Sequence, residues 1–199
     1  DHLDFRNPSD PWKSRILRIW DQTISPIAGE NAPVGFSLGV EYTQAQIENE
    51  IDGTPAGFVR EKDIDGHGTH VTGTAAGNGS ALSGKYTGMA PNADIVVVKA
   101  GNGSFDTSNI IIALDYLKNL STSLGKPIVV NMSLGSQYGA HDGTDPLERA
   151  IDTFTDTAAG RIVVVASGND NGDNIHKQLV LAPGGTETIT LQVPTTTTT

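Results

Sequence analysis

The sequence predicts an α/β fold built as a three-layer, doubly wound parallel sheet. Short and nearly continuous apolar runs occupy 95–100, 127–132 and 161–166, which is typical of strands that are buried on both faces. Stretches with the apolar periodicity of amphipathic helices separate the three runs. Strands and helices that alternate in this way form right-handed crossovers in one parallel sheet, and binding sites lie beyond the carboxyl ends of its strands.

Local signals place the elements in the first part of the chain. We expect a strand at 14–20 and a loop rich in Gly and Pro at 25–42. Thr43 and Gln46 have the spacing of a capping box, which predicts the start of a short helix, and Gly53 is expected to end that helix.

The two helices between the apolar runs show similar signals. Ser108 or Asn109 is expected to cap the first of them. Asp145 is expected to begin the second, with Pro146 at the first helical position, and Gly160 to stop it.

The end of the chain changes character, and this change sets the predicted domain boundaries. We expect antiparallel strands at 179–181 and 186–193 around a Pro-Gly-Gly turn, before a final run of threonines. The prediction is an α/β domain over 1–176 and the start of a β-rich insert over 177–199.

Composition and charge exclude several classes of function. The 199 residues carry a formal net charge of −10 with a sequence pI of about 4.7, so neither nucleic acid nor an anionic membrane is expected as the main partner. The absence of cysteine excludes disulfides and thiolate zinc sites. No apolar run approaches the roughly 20 residues that a membrane span needs. Because the chain begins at Asp1 rather than Met, we expect a processed form or a fragment.

Two binding motifs are incomplete. The stretch 79–86 matches a phosphate-binding loop through its lysine, but Tyr86 stands where a hydroxyl residue should bind Mg²⁺. His67 and His70 share one side of a helix, but no HExxH motif surrounds them and no cysteine can complete a zinc site. Neither a nucleotide nor zinc is therefore expected.

The stretch DGHGTHVTGT at 65–74 holds His67 between two glycines and continues into small residues. Such residues suit a helix that packs closely against a neighbour. A histidine in this setting is a general base, a metal ligand or a buried structural residue, and this stretch alone leaves the three roles open.

Four motifs taken together resemble the subtilisin family of serine proteases. They are DGHGTHVTGT at 65–74, GMAPNA at 88–93, NMSLG at 131–135 and VASGN at 165–169. All four occur in the family's order. The resemblance implies a subtilisin-like but partial fold, and hydrolysis of peptide bonds through a Ser/His/Asp triad.

The resemblance implies roles for individual residues. His67 would be the base that accepts the proton of the serine and returns it to the leaving amine, while His70 would pack on the helix. Asn169 would donate a hydrogen bond to the oxyanion. The residues implied for binding an extended peptide form two edges of a groove: Gly101, Gly103 and Ser104 on one edge, and Ser133, Leu134 and Gly135 on the other.

Other segments resemble one branch of the family. FRN at 5–7, SRI at 14–16, IWDQ at 19–22 and the helix that follows Thr43 are similar to the spore-germination (Csp-like) branch. Members of that branch carry a β insert after the oxyanion asparagine, which would account for 177–199.

The sequence departs from the family at the other two triad positions. No Asp-Ser-Gly or Asp-Thr-Gly precedes His67, and no serine or cysteine follows Asn169. By the resemblance, Asp1 and Asp4 belong to the turn after the family's aspartate, and Asp65 is interpreted as a helix cap. We therefore expect the central part of a serine endopeptidase that is inactive by itself.

Two other interpretations stay open. The chain could be a non-catalytic peptide-binding domain that keeps the substrate groove, or a piece that holds no native fold alone. The resemblance implies a polypeptide substrate and a bacterial protein that is secreted or associated with the cell envelope, with no required cofactor. Calcium is left open, because relatives bind it near 77–85 but this loop contains no carboxylate.

Overall fold

The computed structural model describes residues 2–54, 57–137, 139–172 and 177–190, and the α/β fold class is confirmed. The strands are β1 (Arg6–Asn7), β2 (Asp10–Ser14), β3 (Ile16–Asp21), β4 (Val40–Thr43), β5 (Ile95–Lys99), β6 (Ile128–Met132) and β7 (Arg161–Val165). The helices are α1 (Gln44–Asp52), α2 (His67–Ala76), α3 (Thr107–Leu124) and α4 (Pro146–Asp156), with 3-10 turns at Leu3–Phe5 and Ser80–Leu82.

A sheet of three strands in the order β4-β3-β5 forms the middle layer. Ile19 of β3 lies opposite Val97 in the parallel pair with β5, and opposite Tyr42 in the antiparallel pair with β4. The prediction of a loop over 25–42 is therefore wrong for its last residues, which belong to β4. Val40 and Tyr42 are both fully buried and alternate with polar neighbours, which is the pattern of a strand.

The alternation along β5 divides its side chains between two cores. Val97 packs in one core with Ala76 of α2 and the buried residue of α1. Val96 packs in the other with Leu114 of α3 and Phe154 of α4. Helices therefore cover both faces of this sheet, and the structure here has three layers.

β6 and β7 form a separate parallel pair. Val130 and Val163 pack under α3 and α4 in the same core as Val96, but within the described ranges no strand pairing joins β6 to β5. The prediction of one sheet through all three apolar runs is wrong. Burial on both faces is also wrong for this pair, because α3 and α4 cover one face only: on the other face Val129 is 63% and Ile162 53% exposed.

Two helices have the predicted caps. Thr43 and Gln46 form the capping box of α1, and Gly53 ends that helix with a φ of 78°. Asp145 caps α4, and Pro146 is its first residue. These signals are reliable because a side-chain oxygen pairs with a backbone N–H that has no partner inside the helix.

Two other helix ends differ from the prediction. Asp106 caps α3 by accepting the N–H of Ser108, so Ser108 and Asn109 lie inside the first turn rather than before it. α4 ends at Asp156, and Gly160, with a φ of 84°, belongs to the turn before β7. Among the helices of the described ranges, none has both the length and the apolar character to cross a bilayer.

The residues after 176 do not form the predicted hairpin within the described range. A turn is present, in which the N–H of Gly185 donates to the carbonyl of Ala182 at 2.8 Å. Residues 179–181 and 186–190 form no strand, while 191–193 lie outside the described residues. The division of the chain into 1–176 and 177–199 stays a prediction.

A buried carboxylate ties the loop before β4 to the segment before α2. Glu30, with a side chain only 2% exposed, accepts two hydrogen bonds from Arg60 (2.8 and 2.5 Å), one from the Tyr42 hydroxyl (2.9 Å) and one from the N–H of Ile27 (3.0 Å). The hydrogen bonds from Arg60 contribute most to lowering the pKa of Glu30 to about 2, against the opposing effect of burial.

Glu30→Gln is expected to lower the free energy of unfolding at pH 7 by about 3 kcal/mol, because Arg60 loses a buried charged partner. The pKa of Glu30 in the folded chain lies below its ordinary value. The stabilisation is therefore complete above about pH 5 and is lost as the pH falls towards 2. Urea unfolding of the wild type and the variant at pH 7 and pH 3 should show a smaller difference at pH 3.

Asp115→Asn is the matched control, because Asp115 pairs with Lys118 on the surface of α3 and is 59% exposed. This variant should lose less than about 1 kcal/mol of unfolding free energy at both pH values. Equal losses in the two variants, or an undiminished effect of Glu30→Gln at pH 3, would contradict this role of Glu30.

Candidate active site

His67 is the first residue of helix α2. It follows Gly66, whose φ of 85° is a conformation that glycine adopts without strain. The His67 side chain is exposed in the described structure, so its imidazole is accessible to a bound group. The position of this imidazole depends on the first turn of α2.

Asp63 holds that first turn. Its carboxylate accepts hydrogen bonds from the N–H of Gly66 at 2.9 Å, and from the N–H and the hydroxyl of Thr69 at 2.8 and 2.6 Å. These hydrogen bonds, with that from the Thr69 hydroxyl first, lower the pKa of Asp63. The prediction that Asp65 caps the helix is wrong. The N-cap residue is Gly66, which has no side chain to accept a hydrogen bond, and the carboxylate of Asp63, three residues earlier, accepts these N–H groups instead.

The later turns of α2 pack closely against 88–90. The N–H of Gly88 donates to the carbonyl of Gly77 at 2.7 Å, and a Cβ on Gly88 would lie 2.6 Å from the carbonyl oxygen of Gly73. The predicted close packing of this helix is therefore confirmed. His70, however, is exposed rather than packed, because the described residues leave the first turns of α2 open to solvent.

The two predicted edges of the substrate groove begin at neighbouring strand ends. Ala100 follows β5, Met132 ends β6, and both belong to one buried cluster. The carboxyl ends of β5 and β6 therefore lie on the same side of the structure. The predicted substrate residues that follow these ends are Gly101, Gly103 and Ser104 after β5, and Ser133, Leu134 and Gly135 after β6.

A tight turn shapes the edge after β5. Gly101 pairs with Phe105 in an antiparallel bridge, and a Cβ on Gly101 would lie 1.9 Å from the carbonyl oxygen of Ser104. Gly103 has a φ of 86°. Both glycines are thus required by the backbone, and the Ser104 side chain is exposed.

The edge after β6 is partly packed. The side-chain amide of Asn131 donates to the hydroxyl of Ser133 at 3.1 Å, and Leu134 packs on the cluster that contains Met132. Gly135 is exposed. This edge is therefore anchored at Leu134 and open to solvent at Gly135.

Asn169 lies beside the edge after β6. The N–H of Ala166 donates to the carbonyl of Met132 at 3.1 Å, which extends the pairing of β6 with β7. Farther out, the amide of Gln137 donates to the carboxylate of Asp170 at 2.7 Å. The Asn169 side chain is exposed. Among the described residues, no hydrogen bond or ion pair joins Asn169 to His67. His67 begins helix α2, and Asn169 lies in the segment that follows β7.

A buried charge cluster at the ends of β3 and β5 was missed by the sequence analysis. Asp21 ends β3 and is 1% exposed, and the Nζ of Lys99, at the end of β5, lies 3.9 Å from a carboxylate oxygen of Asp21 and 3.9 Å from one of Glu61. Burial raises the pKa of Glu61, and Lys99 opposes this shift. The available signal was a charged residue at the end of two neighbouring apolar strands, since buried charges are paired.

No group of three or more His, Cys, Asp or Glu in the described part of the chain is suited to hold a metal ion. Asp4 reaches into the loop 77–85 from outside, and its carboxylate accepts the N–H of Ala81 at 2.7 Å. The Asn78 side-chain amide donates to the carbonyl of Arg6 at 2.8 Å. These contacts order the loop through protein groups, and calcium stays unassigned.

Comparison with protein families and curated proteins gives a consistent match. The profile of the Subtilase family (Peptidase_S8) matches residues 30–198. Serine protease AprX of Bacillus subtilis (strain 168) is 35% identical over 169 residues, which cover 78% of this chain and 37% of AprX. Alkaline elastase YaB of Bacillus sp. (strain YaB) is 32% identical over 160 residues, which cover 76% of this chain and 39% of that protein. The chain thus spans about two fifths of the length of these relatives.

A solved structure shares the fold. The CspB protease of Clostridium perfringens matches with a TM-score of 0.72 at 30% identity, and the match covers 86% of this chain and 34% of that chain. The similarity therefore extends over most of the described elements. It also agrees with the resemblance of 5–7, 14–16 and 19–22 to a Csp-like branch.

Proposed function

Because the chain belongs to the subtilase family of serine proteases, we propose that it supplies the general base and the oxyanion donor of a subtilisin-like serine endopeptidase. This proposal rests on the observation that motif residues lie at the ends of neighbouring strands. Both groove edges and Asn169 follow the carboxyl ends of β5, β6 and β7, which is where sites form in open α/β sheets.

His67 is proposed as the general base. Its imidazole would take the proton of a serine hydroxyl as the hydroxyl oxygen attacks the peptide carbonyl, and would then give the proton to the leaving amine. The exposure of His67 at the start of α2 supports this role, because a base must reach the substrate. The serine and the orienting aspartate are proposed to lie outside these 199 residues.

Asn169 is proposed to stabilise the tetrahedral intermediate. Its exposed side-chain amide would donate a hydrogen bond to the oxyanion, which carries negative charge only after the attack. The neighbouring edge, Ser133 to Gly135, would pair with the backbone of an extended polypeptide, and the turn at 101–104 would bound the other side of the groove.

The proposed substrate is a polypeptide, and the protein is proposed to act outside the cell or in the cell envelope. A related protein of Thermus sp. (strain Rt41A), which is 39% identical over 124 residues covering 60% of this chain and 25% of that protein, is named an extracellular serine proteinase.

The 199-residue chain alone is expected to hydrolyse no peptide bond and to bind no fluorophosphonate probe, because no serine follows Asn169. The gene product that includes the flanking segments should react with the probe. Its labelling should disappear when the serine of a Gly-Thr-Ser segment beyond Asn169 is replaced by alanine. Gel fluorescence after labelling measures both results.

Labelling of the 199-residue chain would contradict the proposed division of the triad. If the longer product is not labelled, and the coding sequence lacks Asp-(Ser/Thr)-Gly before this chain and Gly-Thr-Ser after it, the enzyme proposal fails. The chain would then be a peptide-binding domain without catalytic activity.

A further inference from the structure

Lys99 is a largely buried lysine whose amine lies near two carboxylates. It is the last residue of β5, its side chain is 15% exposed, and its Nζ lies 3.9 Å from carboxylate oxygens of both Asp21 and Glu61. The same amine donates a hydrogen bond to the carbonyl of Lys62 at 2.5 Å. Lys99 therefore joins the end of the sheet to the segment 61–62.

The next residue of that segment holds helix α2. Asp63 accepts the N–H groups of Gly66 and Thr69 and the Thr69 hydroxyl. The contacts thus run without interruption from β5 through Lys99, the 61–63 segment and Asp63 to the first turn of α2. The first residue of this helix is His67.

The ion pair of Lys99 with Asp21 differs from a surface ion pair because both side chains are largely buried. Asp21 is 1% exposed, and one of its carboxylate oxygens has no hydrogen-bond donor among the described residues. The other oxygen accepts both the N–H and the hydroxyl of Thr23, at 2.8 and 2.6 Å, so the carboxylate cannot turn away. A neutral residue in place of Lys99 would leave a fixed, buried carboxylate without a counter-charge.

We propose that Lys99 is a positioning residue for His67: its amine, held by Asp21, fastens the 61–63 segment to the end of the sheet and thereby sets the first turn of α2. This inference deepens the proposed function and rests on it, because the consequence for catalysis requires that His67 is the base. The geometric part, the fastening of α2, is independent of any activity.

Hydrogen exchange in the 199-residue chain tests the geometric part. In Lys99→Met, the amides of Gly66 and Thr69 should exchange at least about fivefold faster, because the segment that holds Asp63 is released. The amides in the middle of α3 should keep their rates. Lys118→Met is the matched control, because it removes a lysine that pairs with Asp115 on the surface of α3, and it should leave the Gly66 and Thr69 amides unchanged.

Unchanged exchange at Gly66 and Thr69 in Lys99→Met overturns the proposal. Lys99→Met could loosen the whole chain, so that α3 also exchanges faster. In that case Glu61→Gln is used instead, and exchange at Gly66 and Thr69 is again compared with exchange in α3. Glu61→Gln removes one partner of Lys99 without placing an apolar group beside Asp21. Faster exchange at both amides with α3 unchanged supports the proposal, and unchanged exchange in Glu61→Gln overturns it.

Kinetics of the longer gene product test the catalytic part. Lys99→Met should lower kcat by about tenfold or more while KM changes by less than about twofold, because a displaced base affects the reaction step more than substrate binding. If His67→Ala leaves turnover unchanged, the proposed function fails. If His67→Ala abolishes turnover and Lys99→Met leaves kcat unchanged, only the positioning inference fails.

Discussion

His67→Ala is expected to lower kcat/KM of the longer gene product by about 10²–10⁴-fold or more, the contribution of a positioned general base. Without the imidazole, the serine hydroxyl would keep its proton, and the leaving amine would have no nearby donor. The loss should fall on kcat, since His67 is at the start of α2 rather than on either edge of the groove. Initial rates on a peptide substrate over a range of concentrations separate the two constants.

His70→Ala is the matched control for this measurement. His70 lies three residues farther along α2 and its side chain is likewise exposed, so its removal changes the same helix without removing the proposed base. Its kcat/KM should stay within about twofold of the wild type. Unchanged turnover in His67→Ala, or an equal loss in His70→Ala, refutes the role given to His67.

Asn169→Ala is expected to lower kcat by about 10²–10³-fold with little change in KM, a range that was established on subtilisin itself. The physical reason is that the side-chain amide would donate to an oxygen that becomes charged only in the transition state. Ground-state binding does not use that hydrogen bond. Because the Asn169 side chain is exposed and not packed in a core, the fold should tolerate its removal.

Asn119→Ala provides the corresponding control, since Asn119 is an exposed residue in the middle of α3. It should leave both kinetic constants unchanged. A rise in KM with constant kcat in Asn169→Ala would show that this residue binds substrate uniformly, and would contradict its assignment to the oxyanion.

The elements that the sequence predicts well have local causes. The capping box at Thr43 and the helix start at Asp145 are confirmed because each pairs a side-chain oxygen with a backbone amide a few residues away. The close packing of α2 is predictable for a similar reason, since a run of small residues allows Gly88 to approach the Gly73 carbonyl. Information of this kind is contained within a short stretch of sequence.

The errors arise where the outcome depends on distant parts of the chain. The three apolar runs look alike, yet β5 pairs with β3, whereas β6 pairs only with β7 in the described structure. Strand pairing follows from the whole topology, which hydrophobic periodicity does not contain. The exposure of Val129 and Ile162 could not be predicted for the same reason, because the sequence does not say which element covers each face of a strand.

The candidate site shows the same division. The motif residues His67 and Asn169 are recognisable in the sequence, and in the structure His67 begins α2 while Asn169 lies in the segment after β7. The contacts that hold these elements were not predictable. The carboxylate bonded to the first turn of α2 is that of Asp63 rather than Asp65, and Lys99 meets Glu61 only because a parallel strand and a distant loop come together.

The missing pairing between β5 and β6 has a consequence for how the chain unfolds. Within the described ranges, the β4-β3-β5 sheet and the β6-β7 pair are connected by side chains rather than by a backbone ladder. Trp20 contacts Tyr116 of α3, with ring centroids 4.8 Å apart, and Val130 packs beneath the same helix. The cooperativity of unfolding therefore depends on α3, and weakening its apolar face would let the two sheets unfold in separate steps.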